Sequence, residues 1–141
     1  MPVFDLVPVE IPGPSSRKVF LLEIDGDIPY GDFEKKMNKA GKRKELASIR
    51  VYFQRLANGQ PIPPNSIKPL KGGIDNDDWK EFELRQKSLR VYFFVIPPDG
   101  NIIVMGEYKK SAKDQRNIIA RFQEIKMAFK EHYQSAKPEE E

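Results

Sequence analysis

Cationic side chains at the ends of predicted β-strands are the residues of this sequence with the clearest chemical potential. Arg90 interrupts the run Leu89–Ile96, which is otherwise apolar, and Tyr108, Lys109 and Lys110 close a second apolar run. An arginine fork matches two oxygens of a phosphate, and a nearby lysine or tyrosine can transfer a proton if the site shifts its pKa. These residues are therefore candidates for chemistry on a phosphate group.

Each candidate also has a purely structural explanation. Arg90 could snorkel to solvent or pair with Glu81 or Glu83, and Arg85 shares a strand face with the same two carboxylates. The segment Tyr108–Lys110 could be a solvated strand end that precedes a helix. The sequence leaves both explanations open for every one of these side chains.

Other polar residues carry weaker signals. Lys68 and Lys71 lie in a long loop and could position phosphates, although loop lysines are usually only solvated. His132, the only histidine, falls late in a predicted helix and is interpreted as a surface residue. The sequence contains no Gly-rich phosphate loop, metal-ligand cluster or nucleophile triad, so no cofactor and no metal are expected.

The composition is that of one ordinary domain with a heavily charged surface. The chain has 141 residues, of which 39% are hydrophobic and 32% charged, with a net charge of +3. The acidic end masks a more basic body, which could attract an anionic partner. The absence of cysteine excludes disulfides and thiolate metal sites. No run has the length of a membrane span and residues 1–16 do not resemble a signal peptide, so a cytoplasmic location is expected.

The elements that must position these residues begin after a proline-rich segment. Residues 1–17 are predicted to be an arm or an edge strand, residues 18–135 the folded domain and residues 136–141 an acidic tail. A strand is predicted at Lys18–Asp25. A helical hairpin follows, with Asp32 as the N-cap of its first helix and Gly59 after its second.

Three strands and a helix complete the prediction. A loop is expected at residues 58–77, and strands at 79–86, 89–96 and 102–108. Ser111 and Asp114 resemble a capping box, and an apolar stripe marks the last helix as core or partner contact. The stripe comprises Ile118, Phe122, Ile125, Phe129 and Tyr133. A sheet with helices packed mostly on one face is an α+β layout.

Four short motifs occur in the chain order found in the RelE/ParE superfamily of small toxins, which includes the HigB-like and phage-derived branches. They are Pro69-Leu70-Lys71-Gly72, the Trp79, Phe82, Leu84 and Arg85 strand, Leu89-Arg90-Val91-Tyr92-Phe93, and Gly106-Glu107-Tyr108-Lys109-Lys110. The resemblance covers about residues 18–133. It implies a RelE/ParE-like α+β fold, with an antiparallel-dominated sheet, an N-terminal helical hairpin and a C-terminal helix.

The resemblance also implies a function. Most RelE-like and HigB-like proteins are toxins of type II toxin–antitoxin systems that cut translated mRNA, usually on the bacterial ribosome. The expected partners are therefore mRNA, the ribosome and a cognate antitoxin. ParE-like members instead poison DNA gyrase, and a member that has lost its activity would be a plain interaction protein. Both remain alternatives.

The resemblance assigns roles to particular residues. Arg90 would stabilise the transition state, with Tyr108 and Lys109 in proton transfer or phosphate orientation. The expected RNA-binding residues are Lys68, Lys71, Arg85, Lys110 and Lys113. Glu81 and Glu83 stand where some members place lysines. These two carboxylates would repel phosphate, or one of them could act as a general base.

Overall fold

One mixed β-sheet organises the chain. The computed structural model describes residues 2–12, 15–70 and 78–136. Within these residues, six strands and three α-helices follow one another along the sequence. They are β1 (Phe4–Pro8), β2 (Lys18–Ile24), α1 (Pro29–Lys39), α2 (Arg43–Asn58), β3 (Ile67–Pro69), β4 (Glu81–Gln86), β5 (Leu89–Ile96), β6 (Gly100–Tyr108) and α3 (Ala112–Ala136). A short 3₁₀ helix (Pro64–Ser66) precedes β3. None of the helices in the described ranges is long and apolar enough to cross a membrane.

The strands lie in the order β1-β2-β6-β5-β4-β3. β2 and β6 are parallel, and the other four neighbouring pairs are antiparallel. The predicted α+β class and the antiparallel-dominated sheet are therefore confirmed. β2 pairs with β6 only from Lys18 opposite Gly100 to Leu21 opposite Ile103. Beyond Ile103, that edge of β6 has no partner strand among the described residues.

Helices cover both faces of the sheet, whereas the sequence analysis placed them mostly on one. Val91 and Phe93 of β5 pack with α1 and α2, and Tyr92 and Phe94 pack with α3. We refer to these as the α1–α2 face and the α3 face. The side chains of β5 alternate between the two faces of the sheet and are apolar on both. Each face must therefore be covered by a helix to exclude water.

The α1–α2 face has an apolar core. The residues of α2 that enter it recur at intervals of three or four, which places them on one side of the helix. They are Leu46, Ile49, Phe53 and Ala57. α1 approaches β6 so closely that a Cβ on Gly106 would lie 2.6–2.9 Å from ring atoms of Phe33. Glycine at this position therefore lets the Phe33 ring rest on the strand.

The α3 face has an aromatic core toward the C-terminal half of its helix. Phe122 and Phe129 of α3 are buried against Phe94 of β5. The Trp79 ring stacks on Phe94 at 5.6 Å between centroids. Phe122 and Phe129 therefore belong to the core, which is one of the two roles predicted for the apolar stripe. His132 is half-buried beside Phe4 and Phe129, so it is less exposed than predicted.

Several local predictions hold. The helix α2 ends at Gly59, which has the left-handed conformation (φ 67°) that glycine adopts without strain. Before α3, the Asp114 N–H donates to Ser111 Oγ at 3.1 Å, which is one half of the predicted capping box. β1 pairs with β2 along its whole length, so part of the predicted arm is an edge strand of the sheet.

Other local predictions need correction. Asp32 is not an N-cap, because α1 begins at Pro29 and Ile28 occupies the cap position. Proline suits the first helical turn, where its missing N–H would have no acceptor. The predicted loop 58–77 contains the short edge strand β3. Lys71 and the rest of residues 71–77 lie outside the described residues, as do residues 137–141 of the predicted acidic tail.

Candidate functional site

A buried carboxylate organises the charged end of the α3 face. Glu83 of β4 is 3% exposed, and its Oε2 lies 3.3 Å from Arg85 Nε and 3.4 Å from Arg90 Nε. Arg85 and Arg90 are direct cross-strand partners in the β4–β5 ladder. Two adjacent guanidinium groups repel each other, so the shared carboxylate is what allows them to lie side by side.

Arg90 is held in a fixed position. Its Nη1 donates to the main-chain carbonyls of Lys87 at 2.6 Å and Leu89 at 2.9 Å. Arg85 Nη2 donates to Glu83 Oε1 at 3.4 Å. The Nε atoms of Arg85 and Arg90 are buried and make no hydrogen bond with the described residues, so these two atoms contact Glu83 by charge alone. The pairing that the sequence analysis left open is therefore present. The Arg90 side chain remains 12% exposed.

A hydrogen-bonded chain connects this cluster with the start of α3. Tyr92 Oη donates to Glu107 Oε2 at 2.6 Å. The side-chain amide of Gln115 donates to Tyr92 Oη and to Glu83 Oε2, each at 3.2 Å. The first turns of α3 are thus anchored to the sheet through polar groups, since Gln115 contacts both the Glu83 carboxylate and the phenol that binds Glu107.

Burial raises the pKa of two groups in this hydrogen-bonded network. It raises the pKa of Glu107 above its ordinary value, while the hydrogen bond from Tyr92 and the positive charge of Arg90 act in the opposite direction. Burial also raises the pKa of Tyr92, and its hydrogen bond to Glu107 raises it further. Tyr92 therefore remains a neutral phenol and donates its proton to the Glu107 carboxylate.

Glu81 is also neutralised beneath α3. Lys126 Nζ lies 2.9 Å from Glu81 Oε2, and Gln123 Nε2 donates to Glu81 Oε1 at 2.8 Å. The Lys126 side chain is 3% exposed. Glu81 and Glu83 thus each have their own cationic partners, and neither presents an uncompensated negative charge to an approaching phosphate.

The structure separates Arg90 from Tyr108. Tyr108 follows Glu107 along β6, so its side chain points to the opposite face of the sheet, where Lys42 Nζ lies 5.3 Å from its ring centroid. The Lys109 N–H donates to the carbonyl of Ser88 at 2.7 Å, which fixes the backbone just beyond the strand. Two of the three predicted catalytic residues, Arg90 and Tyr108, therefore do not share a face.

The other predicted RNA-binding residues lie around the same end of the sheet. Lys68 on β3 is the cross-strand partner of Glu83, so it belongs to the α3 face, and it is exposed. The Arg85 side chain is 33% exposed. Lys110 and Lys113 are exposed before and within the first turn of α3. Cationic side chains therefore occupy three adjacent strands and the helix start.

A cleft opens where β6 extends beyond β2. It has a volume of about 780 Å³ and lies between α1, the end of β6 and the first turns of α3. Its apolar wall is formed by Phe33, Met37 and Ile118. Its charged and polar groups include Lys36, Lys42, Lys110, Asp32, Asp114, Tyr108 and Glu107. The cleft passes around the free edge of β6. Glu107 therefore lines it from the α3 face of the sheet and Tyr108 from the α1–α2 face.

Glu107 and Gln115 are site residues that the sequence analysis did not identify. The β5–β6 hairpin contains a bulge, since Phe93 pairs with Ile103 but Tyr92 pairs with Met105. The extra residue, Val104, moves Glu107 opposite Arg90. Counting outward from the turn without a bulge places Gly106 opposite Arg90, so no simple sequence pattern points to Glu107.

The comparisons with known proteins add no relatives. No protein-family model matches the chain. No curated protein matches it significantly. The candidate function therefore depends on the residues and their geometry, and the family resemblance remains an expectation from four short motifs.

Proposed function

We propose that the protein is a metal-independent endoribonuclease that cuts translated mRNA as the toxin of a type II toxin–antitoxin system. The observation that carries the proposal is the position of Arg90. Two main-chain carbonyls hold its guanidinium, and Glu107 lies directly opposite it in the β5–β6 ladder, at the margin of a cleft. A fixed cation beside a carboxylate is a minimal arrangement for transphosphorylation of RNA.

The charges around Arg90 support binding of an anion. Arg85 and Arg90 share one buried carboxylate, Glu83, and Glu107 lies opposite Arg90, so two carboxylates balance the two guanidinium groups. Lys68 adds another cation on the same face. An arginine that is already held in place loses little conformational entropy when it binds phosphate, and its fork matches the phosphate oxygens.

Tyr108 keeps a place in the proposal because it lines the cleft, and Lys109 follows it directly in the chain. Tyr108 and Lys110 line it together with Glu107, although Tyr108 comes from the opposite face of the sheet. An RNA strand in the cleft could therefore contact Tyr108 and Lys110 while its phosphate approaches Arg90. The observed order is two strands, two helices, four strands and a helix. It contains the predicted succession of strand, helical hairpin, three strands and helix, which supports the RelE/ParE-like arrangement that is part of this proposal.

Induced expression in a bacterium, with mapping of transcript ends, tests the proposal. We expect growth arrest and cuts within translated mRNA, and we expect Arg90→Ala to relieve both. Arg121→Ala, which removes an exposed arginine from α3, is the matched control and should remain toxic. Thermal unfolding of the purified variants verifies that Arg90→Ala is folded. Harmless wild-type expression with intact transcripts would contradict the ribonuclease proposal.

A second candidate function is that of an interaction protein without catalytic activity. The observation that favours it is the low exposure of Arg90 and its contact with Glu83, which together resemble a structural ion pair. This candidate predicts a stable complex with a partner and no toxicity. A gyrase-directed toxin would instead cause DNA damage signalling with intact mRNA, so the same expression experiment separates all three functions.

A further inference from the structure

Glu107 occupies a position that no other carboxylate of the described residues shares. It lies opposite Arg90, accepts a hydrogen bond from Tyr92 at 2.6 Å, and lines the cleft at the free edge of β6. Its Oε2 is the acceptor of that bond, and its Oε1 accepts no hydrogen bond from the described residues. One oxygen is thus fixed within the protein, and the other is available for a group that enters the cleft.

We infer that Glu107 is the general base of the proposed ribonuclease, and that the cleft between α1, β6 and α3 receives the ribose on which it acts. This inference rests on the proposed function, and it assigns the site within the protein where the RNA substrate is bound. The lysines that line the cleft would hold neighbouring phosphates by charge. They are Lys36, Lys42 and Lys110.

The other carboxylates near the site are poor candidates for this role. Glu81 accepts bonds from Lys126 and Gln123, and Glu83 is buried against two arginines, so each is committed to partners beneath α3. A general base must reach the hydroxyl from which it takes a proton, within hydrogen-bond distance or through one water. Glu107 meets this requirement because it is half-buried at the wall of an open cleft.

The surroundings of Glu107 move its pKa in the direction of neutral pH. Burial, Glu83 and Asp114 raise its pKa, while Tyr92 and Arg90 lower it, and the net effect is a rise. A base is most effective when its pKa lies near the operating pH. The other ionisable groups that line the cleft are Asp32, Lys36, Lys42, Tyr108 and Lys110.

The reaction that follows is a transphosphorylation. Glu107 takes the proton of the ribose 2′-hydroxyl, and the 2′-oxygen attacks the adjacent phosphorus. The bond between phosphorus and the 5′-oxygen breaks, and the leaving oxygen takes a proton from a cleft ammonium group, Lys42 or Lys110. The products are a 2′,3′-cyclic phosphate and a 5′-hydroxyl, and Arg90 stabilises the charge that develops on the phosphate.

Cleavage of a reporter mRNA in a reconstituted bacterial translation mixture tests the inference. We expect Glu107→Gln, which keeps the shape of the side chain, to lower the single-turnover rate roughly 100- to 10,000-fold. Glu124→Gln, at an exposed position of α3, is the matched control and should cut at the wild-type rate. Both variants should unfold at the wild-type temperature within a few degrees. The wild type should leave a 2′,3′-cyclic phosphate end.

The pH profile of Tyr92→Phe separates a general base from a residue with only a structural role. Tyr92 stabilises the charged form of Glu107, so its loss should move the acidic limb of the rate profile to higher pH, by about 0.5–1 unit. A purely structural effect would lower the rate at every pH without moving that limb.

The outcomes separate the inference from the proposed function. If the wild type does not cut the mRNA, the proposed function fails, and the inference fails with it. If the wild type cuts while folded Glu107→Gln cuts equally well, only the inference is overturned. An acidic limb that stays in place in Tyr92→Phe would also overturn it.

Discussion

The two faces of the sheet are built differently. The α1–α2 face is closed by an apolar core in which Ile49 and Phe53 are fully buried. The α3 face combines an aromatic core with buried ion pairs, such as Lys126 with Glu81. Burying apolar area stabilises a fold directly, whereas burying a charge costs free energy that its partner must offset. The contrast indicates that the first face carries stability and the second carries the candidate chemistry.

The largest effect is expected for an apolar truncation on the α1–α2 face. Phe53→Ala should lower the free energy of unfolding by about 3–5 kcal/mol, because it removes apolar contacts and leaves a cavity. Urea denaturation of the purified protein measures this change. Val51→Ala, on the same helix but at a site that is 45% exposed, should change it by less than about 0.5 kcal/mol. A similar loss from both variants would contradict the assignment of this core.

A somewhat smaller effect is expected for a broken ion pair on the α3 face. Lys126→Met should cost about 3 kcal/mol, because it leaves the Glu81 carboxylate buried with only Gln123 as a described donor. The double variant Glu81→Leu with Lys126→Met should recover most of this loss, since the Glu81 charge is then removed together with its lysine partner. Urea denaturation of both variants gives the comparison. If the double variant is as unstable as Lys126→Met, the loss of stability does not come from leaving the Glu81 charge without its lysine partner.

The smallest effect concerns pH. The folded protein holds the Glu107 proton more tightly than the unfolded chain does, because burial raises its pKa. The wild type therefore loses stability as pH rises through the interval between the unfolded and folded pKa values. Glu107→Gln cannot ionise, so its stability relative to the wild type should be greater at about pH 7 than at about pH 4. A difference that is independent of pH would contradict the raised pKa.

The sequence by itself determined the principal elements of this protein. The apolar runs predicted β2, β5 and β6, and the apolar spacing predicted α1, α2 and α3, because hydrophobic periodicity is a local property of the chain. The same reasoning identified Arg90 as a cation within an apolar strand. Ser111 at the start of α3 and Gly59 at the end of α2 were also predictable, since caps depend on local backbone geometry.

Only the tertiary structure decided how the charged residues meet. Long-range packing covers Glu81 and Glu83 with α3 and brings Lys126 and Gln115 to them, and no local pattern specifies these two contacts. The bulge at Val104 is the clearest case. An extra residue in one strand shifts every side chain beyond it to the other face, because side chains alternate with a period of two. That single shift places Glu107 opposite Arg90 and sends Tyr108 to the opposite face.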